Sequence, residues 1–282
     1  MTIHSTSELL ELAASHPQLA GALHAGENGS VEASAQGVEL SSEYLAIYDL
    51  ASYASSGAPA MSGVGEFGDE VGFEAKLKAR DSATGQILSL PDLFATIRDD
   101  QQLVSLDRLA RALHAINFFG QHRNGLLFLN VHERLLKSVR YDHGRYFSLV
   151  LLSFGLNPGR IVIEIPEAAS AHKTFLGYLT KSYQSYGFKV AGNLSNAGQI
   201  LSAAESRLDF VKIDTSAAIR DSMVKPLVGY ANRLKVPLIF KRIRDEAQFR
   251  LLRQYDVRYV EGDYLSTLAT DDHGPHDLSE WM

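Results

Sequence analysis

The chain is 282 residues long, with 45% apolar residues, 21% charged residues and no cysteine. That length suits one barrel-sized domain or two smaller ones, and the absence of cysteine excludes a disulfide scaffold, a thiolate nucleophile, Cys-ligated zinc and iron–sulfur clusters. The formal net charge of −6 disfavours a large nucleic-acid surface. Because no apolar run reaches a membrane span of about 18–20 residues and no secretory leader is visible, we expect a cytoplasmic protein without membrane or nucleic-acid partners.

The first forty residues differ in composition from the rest of the chain. Ser5 and Glu8 have the spacing of a helix capping box and precede a leucine-rich stretch, which predicts a short helix that ends before Pro17. Residues 26–37 are rich in Gly, Ser, Ala and Glu, which predicts a loose linker. We therefore divide the chain into an N-terminal helix and linker over 1–40, a main domain over 41–268 and a C-terminal tail over 269–282.

From residue 44 onward, short apolar runs alternate with longer helical patterns. The predicted strands cover 44–49, 71–79, 126–131, 161–165, 188–191, 210–213, 238–240 and 259–261, and the predicted helices cover 103–122, 145–154, 168–186, 197–206, 217–234 and 245–255. This alternation predicts an α/β fold, a (β/α)8 TIM-like barrel. No helical period separates the first two strands, so we expect them to form a hairpin in which one strand is antiparallel to the rest.

Polar side chains fall on or just after several of these strands, where a barrel of this type places its chemistry. They are Glu74, Asn130, Glu164, Lys212 and Asp214. Carboxylate and amide oxygens that converge on one mouth could hold a hard dication such as Mg²⁺ or Mn²⁺. The alternative is an inherited polar network in which these groups satisfy one another, since buried polar groups persist when they are hydrogen-bonded.

Several segments, in order, resemble the EAL domain family, the bacterial phosphodiesterases that hydrolyse cyclic di-GMP to the linear dinucleotide. Residues 73–78 (Phe-Glu-Ala-Lys-Leu-Lys) stand at the family's Glu-Ala-Leu signature, and residues 209–214 (Asp-Phe-Val-Lys-Ile-Asp) stand at its Lys-Ile-Asp segment. Leu129-Asn130-Val131 matches the strand with the metal-binding Asn, and residues 163–167 match the motif with the next metal-binding Glu. The resemblance covers about 44–266 and implies a barrel of the EAL type.

The chain departs from the family where hydrolysis needs acidic groups. The family's phosphodiesterases carry an Asp-Asp pair after the fifth strand, whereas residues 191–195 here read Ala-Gly-Asn-Leu-Ser. After the seventh strand two Glu positions have become basic, and Lys241 occupies the first of them. Lys78 replaces an Arg that grips a ligand phosphate, and Glu261 replaces a neutral Gln. Two-metal hydrolysis requires carboxylates for both cations, so we expect no complete metal site, no cofactor and no catalytic residue.

The resemblance, with these departures, implies a catalytically inactive EAL-like domain that acts as a regulatory protein-binding module in bacterial cyclic di-GMP signalling. Two alternatives stay open, namely a receptor that binds cyclic di-GMP without hydrolysis and a weak metal-dependent phosphodiesterase. We expect a protein partner of unknown identity, at most weak cyclic di-GMP binding, and a homodimer as an option. The pocket remnants are Glu74, Lys78, Asn130, Glu164, Lys212, Asp214, Lys241 and Glu261.

Three further hypotheses concern single groups. Lys241 is expected to pair with Glu74 or Glu164 in place of a cation. His132 is the candidate proton shuttle, although it has no second carboxylate beside it to support general-base work. The tail over 271–277 contains Asp and His in a metal-like pattern.

Overall fold

The structure is a computed structural model that describes residues 4–51, 69–139, 142–215 and 220–266. Its strands are β1 (Leu23–Ala25), β2 (Val31–Ala35), β3 (Val38–Asp49), β4 (Asp69–Asp81), β5 (Ile87–Leu88), β6 (Leu126–Asn130), β7 (Ile161–Ile165), β8 (Lys189–Leu194), β9 (Phe210–Asp214), β10 (Leu238–Lys241) and β11 (Tyr259–Glu261). Its α-helices are α1 (Thr6–Ala14), α2 (Leu90–Thr96), α3 (Asp100–Gly120), α4 (Glu133–Ser138), α5 (Arg145–Ser153), α6 (Glu167–Ser170), α7 (Lys173–Ser185), α8 (Ala197–Ala203), α9 (Asp221–Leu234) and α10 (Glu246–Arg253).

Eight of these strands close into a barrel in the order β3-β11-β10-β9-β8-β7-β6-β4, and β4 pairs back with β3. β3 is antiparallel to both of its barrel neighbours, whereas the other neighbouring pairs are parallel. This confirms the predicted (β/α)8 barrel with one antiparallel strand. The strands were recognisable as apolar runs because helices cover the outer face of such a barrel while side chains fill its interior.

The helices follow the predicted pattern, except that α2 and α4 were not predicted and one predicted helix is divided. The expected continuous helix over 168–186 is two helices, α6 and α7, which meet at Ala171 and His172. α1 begins after Ser5, and its capping box is formed, because Ser5 Oγ accepts from the Glu8 amide while the Glu8 side chain accepts from the Ser5 amide. The 271–277 tail and most of the connection between β3 and β4 lie outside the described residues.

An antiparallel arm extends the sheet beyond the barrel mouth; it consists of β1, β2, β5, residues 38–43 of β3 and residues 76–81 of β4. The loose linker expected over 26–37 is therefore wrong for β2. Val31 and Ala33 are buried under α3, where the Asn117 side chain accepts from the Val31 amide at 2.7 Å and donates to the Val31 carbonyl at 2.8 Å. That contact joins positions 86 residues apart, so local composition cannot reveal it.

A compact apolar cluster fills the inside of the barrel beneath the mouth. It contains Ile47, Phe128, Val162, Ala191 and Ile239, all fully or almost fully buried. Polar side chains form the next layer above it, because alternate residues of a strand share one face. In the described part of the chain, none of the helices has the length and apolar character needed to cross a bilayer.

Candidate functional site

A cavity of about 520 Å³ opens where the barrel strands end, beside the arm. Glu74 of β4, Asn130 of β6 and Lys241 of β10 line it. Four more cationic side chains line it, namely Lys76, Lys78, Arg242 and, on the wall formed by α3, Arg111. The cavity thus combines a carboxylate at its base with a basic rim.

The Lys212 ammonium holds three carboxyl groups together below this cavity. Its Nζ atom lies 2.6 Å from Glu74 Oε2, 2.7 Å from Glu164 Oε1 and 3.0 Å from Glu261 Oε2. Lys212 and Glu164 are fully buried, and Glu261 is almost so. Because the four residues belong to β9, β4, β7 and β11, this ion cluster forms only when the barrel closes. Phe128 covers the ammonium from beneath, with its ring centroid 5.2 Å from Nζ.

The pKa values in this cluster shift in different directions, and these shifts indicate which groups are charged. Burial alone would lower the pKa of Lys212, but the carboxylates of Glu164, Glu261 and Glu74 outweigh burial and raise it well above its usual range. Burial also opposes ionisation of Glu74, yet the positive charge of Lys212 and a hydrogen bond from Glu261 lower the pKa of Glu74. The pKa of Glu164 is raised, and that of Glu261 is raised well above its usual range, by burial and by the charge on Glu74.

These shifts imply a shared proton. A carboxyl group donates a hydrogen bond only when it is protonated, and Glu261 is hydrogen-bonded to Glu74. The raised pKa places that proton on Glu261. The ammonium groups of Lys212 and Lys241 stand beside the three carboxyl groups, and a proton on Glu261 further reduces the negative charge of the cluster.

Two amides complete the network around the carboxyl groups. Asn130 Nδ2 donates to Glu74 Oε1 at 3.1 Å. Asn193 Nδ2 donates to the Ile165 carbonyl at 3.1 Å and to Glu164 Oε2 at 3.4 Å, and Asn193 Oδ1 accepts from Lys241 Nζ at 2.5 Å. The expected direct pairing of Lys241 with Glu74 or Glu164 is wrong, because Asn193 stands between the ammonium and Glu164 and because Lys212 already occupies both carboxylates.

Two predicted site residues lie at the edge of the site. Lys78 lines the cavity from the arm, but its ammonium pairs with Glu43 of β3 at 2.9 Å, and both side chains are more than half exposed. Asp214, at the end of β9, pairs with Arg242 at 3.2 Å. The structure therefore brings Glu74, Asn130, Glu164, Lys212, Lys241 and Glu261 into one network and leaves Lys78 and Asp214 on surface ion pairs.

His132 has a structural role that differs from the expected proton shuttle. It precedes α4, and its Nδ1 atom accepts from the Arg134 amide at 3.2 Å, so that it caps this helix. Its own amide donates to Asp107 Oδ1 at 3.0 Å. Burial lowers the pKa of His132, which favours the neutral ring that such a cap requires.

The sequence did not reveal two features of the site. Asn193 was noticed only as a missing carboxylate, although its amide links Lys241 to Glu164. Asp107 and Arg111 of α3 form a buried ion pair at 2.8 Å on the cavity wall. Their spacing of four residues, which places opposite charges on one helix face, is the signal that could have revealed this pair.

Comparison with known proteins assigns the family. The sequence model of the EAL domain matches residues 66–267. The chain belongs to the EAL domain family. Among curated proteins, none matches this chain.

Solved structures agree with this family in fold. The Bacillus subtilis YkuI protein, in complex with the substrate c-di-GMP and calcium, is 22% identical over 79% of this chain and 54% of its own, with a TM-score of 0.59. The FimX EAL domain of Pseudomonas aeruginosa, bound to c-di-GMP, is 16% identical over 80% of this chain and 88% of its own, with a TM-score of 0.62. Klebsiella pneumoniae BlrP1, in a manganese and c-di-GMP complex, is 18% identical over 80% of this chain and 58% of its own, with a TM-score of 0.59. This EAL domain thus spans little more than half of the YkuI and BlrP1 chains.

Replacement of the central ammonium tests the ion cluster. In Lys212→Met three buried carboxyl groups lose their common counter-charge, and breaking a buried ion pair in this way costs about 3–5 kcal/mol of unfolding free energy at pH 7. Lys241→Met is the matched control; Lys241 is only part-buried and bonds to a neutral amide, so its loss costs about 1.5–3 kcal/mol. Chemical denaturation of both variants measures the difference. Equal losses would contradict the central position of Lys212.

The proton on Glu261 gives a pH dependence of known sign. Above pH ~4.3, the ordinary pKa of Glu, the unfolded chain has released this proton while the folded chain still holds it. The unfolding free energy of the natural protein therefore falls as pH rises toward the raised pKa of Glu261, by up to about 1.4 kcal/mol per pH unit.

The substitution Glu261→Gln keeps a neutral hydrogen-bonding group and removes this linkage. Denaturation curves between pH 4.5 and 7.5 should show a flatter pH dependence for Glu261→Gln than for the natural chain. Glu205→Gln, which alters an exposed carboxylate, should leave the pH dependence unchanged. Parallel curves for the natural chain and Glu261→Gln would argue against a shared proton.

Proposed function

We propose that this EAL domain is catalytically inactive and serves as a cytoplasmic regulatory module that binds another protein in bacterial cyclic di-GMP signalling. The proposal rests mainly on one contact, in which the Lys241 ammonium lies 2.5 Å from Asn193 Oδ1. The resemblance to the family implies acidic groups at both positions, where they would hold metal ions. An ammonium bonded to an amide cannot perform that task, because neither group brings negative charge.

Electrostatics makes the same point in energy terms. A unit positive charge about 5 Å from a dication costs roughly 7 kcal/mol at an effective dielectric constant of about 20. Lys212 pairs with both Glu74 and Glu164, Lys241 adds a second positive charge nearby, and burial favours the protonated form of Glu261. The remaining oxygen donors therefore do not fit a pair of divalent cations.

The outer surface supports a protein-binding role. Leu149 and Leu152, one helical turn apart on α5, expose 57% and 61% of their surface. Large exposed apolar side chains that share a helix face are more typical of an interaction surface than of a solvated one. No residue of α5 lines the cavity, so that protein binding there would not depend on a ligand in the cavity.

Ligand binding without hydrolysis is the second candidate, and the cavity favours it. Its volume of about 520 Å³ falls in the range of small-molecule sites. Lys76, Lys78, Lys241 and Arg242 give it a basic rim that suits an anionic dinucleotide. Burial raises the pKa of Glu261, which disfavours a negative charge at the family's Gln position, and Glu261 does not line the cavity. The FimX EAL domain, a structure of the same fold, is bound to c-di-GMP.

Titration with cyclic di-GMP separates these functions. For the protein-binding module we expect no heat of binding in calorimetry and no linear dinucleotide by chromatography, with or without Mn²⁺. Saturable binding without product would support the receptor instead. Product formation that depends on Mn²⁺ would establish a weak phosphodiesterase and contradict the proposal of an inactive domain.

Restoration of the acidic groups tests why the site is inactive. In the double variant Asn193→Asp/Lys241→Glu the local charge falls by three units, and we expect Mn²⁺ binding to appear in calorimetry, at least tenfold tighter than for the natural chain. Asn193→Asp/Lys225→Glu is the matched control, because it changes the net charge equally while Lys225 is exposed on α9. If the natural chain itself binds two Mn²⁺ ions per molecule, the electrostatic argument fails.

A further inference from the structure

Three potential metal ligands meet on the arm, outside the cavity. His24, Glu32 and Glu39 come from β1, β2 and β3, and one ligand atom of each lies within 4.8 Å of the other two. Among the residues that the structure describes, no other three His, Asp or Glu side chains were found with ligand atoms this close together and positioned to hold a metal ion. All three positions lie before residue 66, where the family match begins, so the group is separate from the EAL site.

The sheet register holds the three residues on one face. His24 lies directly opposite Glu32, and Glu39 lies opposite Ser34, two residues along β2 from Glu32. Val31 and Ala33 point to the other face, where they are buried. Because the backbone of β2 is anchored by this packing and by Asn117, only the side chains need to adjust to a ligand.

The distances suit a tetrahedral metal ion. His24 Nε2 lies 3.1 Å from Glu39 Oε2. Ligand atoms at 2.0–2.1 Å from a tetrahedral Zn²⁺ are about 3.3 Å apart, so this nitrogen and oxygen already span one edge of the coordination shell. The Glu32 side chain is half-buried and can supply the third ligand by rotation about its own bonds. Ser34 Oγ donates to Glu39 at 2.8 and 2.9 Å and would orient the carboxylate from outside the shell.

From this geometry we propose that His24, Glu32 and Glu39 form a binding site for one Zn²⁺ ion. A neutral imidazole and two carboxylates compensate the charge of the dication, and a mixed set of nitrogen and oxygen ligands suits zinc. Three protein ligands leave a fourth position for water. The bound ion ties the β1–β2 hairpin to β3, which is itself a barrel strand, and so fixes the arm beside the cavity mouth.

Zinc titration of the full chain tests this site, with Zn²⁺ itself as the probe. His273 and His276 lie in the tail and could bind zinc independently, so the parent protein for the test is His273→Ala/His276→Ala. Calorimetry at pH 7.5, where an ordinary histidine is neutral, should give one Zn²⁺ per chain. His24→Ala and Glu32→Gln in this parent should each weaken binding at least tenfold. His172→Ala, which removes another exposed histidine, should bind as the parent does.

Melting curves show whether the substitutions weaken zinc binding by destabilising the fold rather than by removing a ligand. With a chelator present, the parent, His24→Ala and His172→Ala should melt at the same temperature, because His24 is exposed. With Zn²⁺ in excess, melting temperature should rise in the parent and in His172→Ala and stay unchanged in His24→Ala, since a ligand that binds only the folded state stabilises it. Absence of zinc binding in the parent, or equal binding by His24→Ala and His172→Ala, would overturn the proposal.

Discussion

The contacts between the buried ammonium of Lys212 and three carboxyl groups stabilise the centre of this barrel. A charge inside a barrel loses its hydration, and that loss must be compensated by partners of opposite charge and by hydrogen bonds. Glu74, Glu164 and Glu261 supply these partners from three other strands at 2.6–3.0 Å. The cluster therefore links four separate strands, and its charges meet only when the barrel is closed in the correct register.

The same charge balance bears on whether the barrel can hold metal ions. A two-metal centre needs excess negative charge that the cations then balance. Here two ammonium groups already stand beside the three carboxyl groups, and Asn193 bridges Lys241 and Glu164 by hydrogen bonds. Above the cluster lies the cavity with its basic rim.

The arm gives the domain a second polar centre with different chemistry. The interior site relies on carboxyl groups that are shielded from water, whereas His24, Glu32 and Glu39 stand on an accessible sheet face with no buried ammonium among them. Glu39 lies on β3, and β3 pairs with β4, whose residues line the cavity. A ligand on the arm and a ligand in the cavity would therefore contact neighbouring, hydrogen-bonded strands.

The amino-acid sequence by itself determined the eight barrel strands, most of the helices around them, the presence of one antiparallel strand in the first hairpin and the residue types at the barrel mouth, because apolar periodicity and strand-end polarity are local patterns. It did not reveal β2, because the backbone of Val31 in this short strand is held by Asn117, which lies 86 residues away along the chain. Only the tertiary structure decided that Lys212 rather than Lys241 faces the carboxylates. Those contacts join positions 48 to 138 residues apart, and barrel closure and register, rather than spacing along the chain, set which side chains meet.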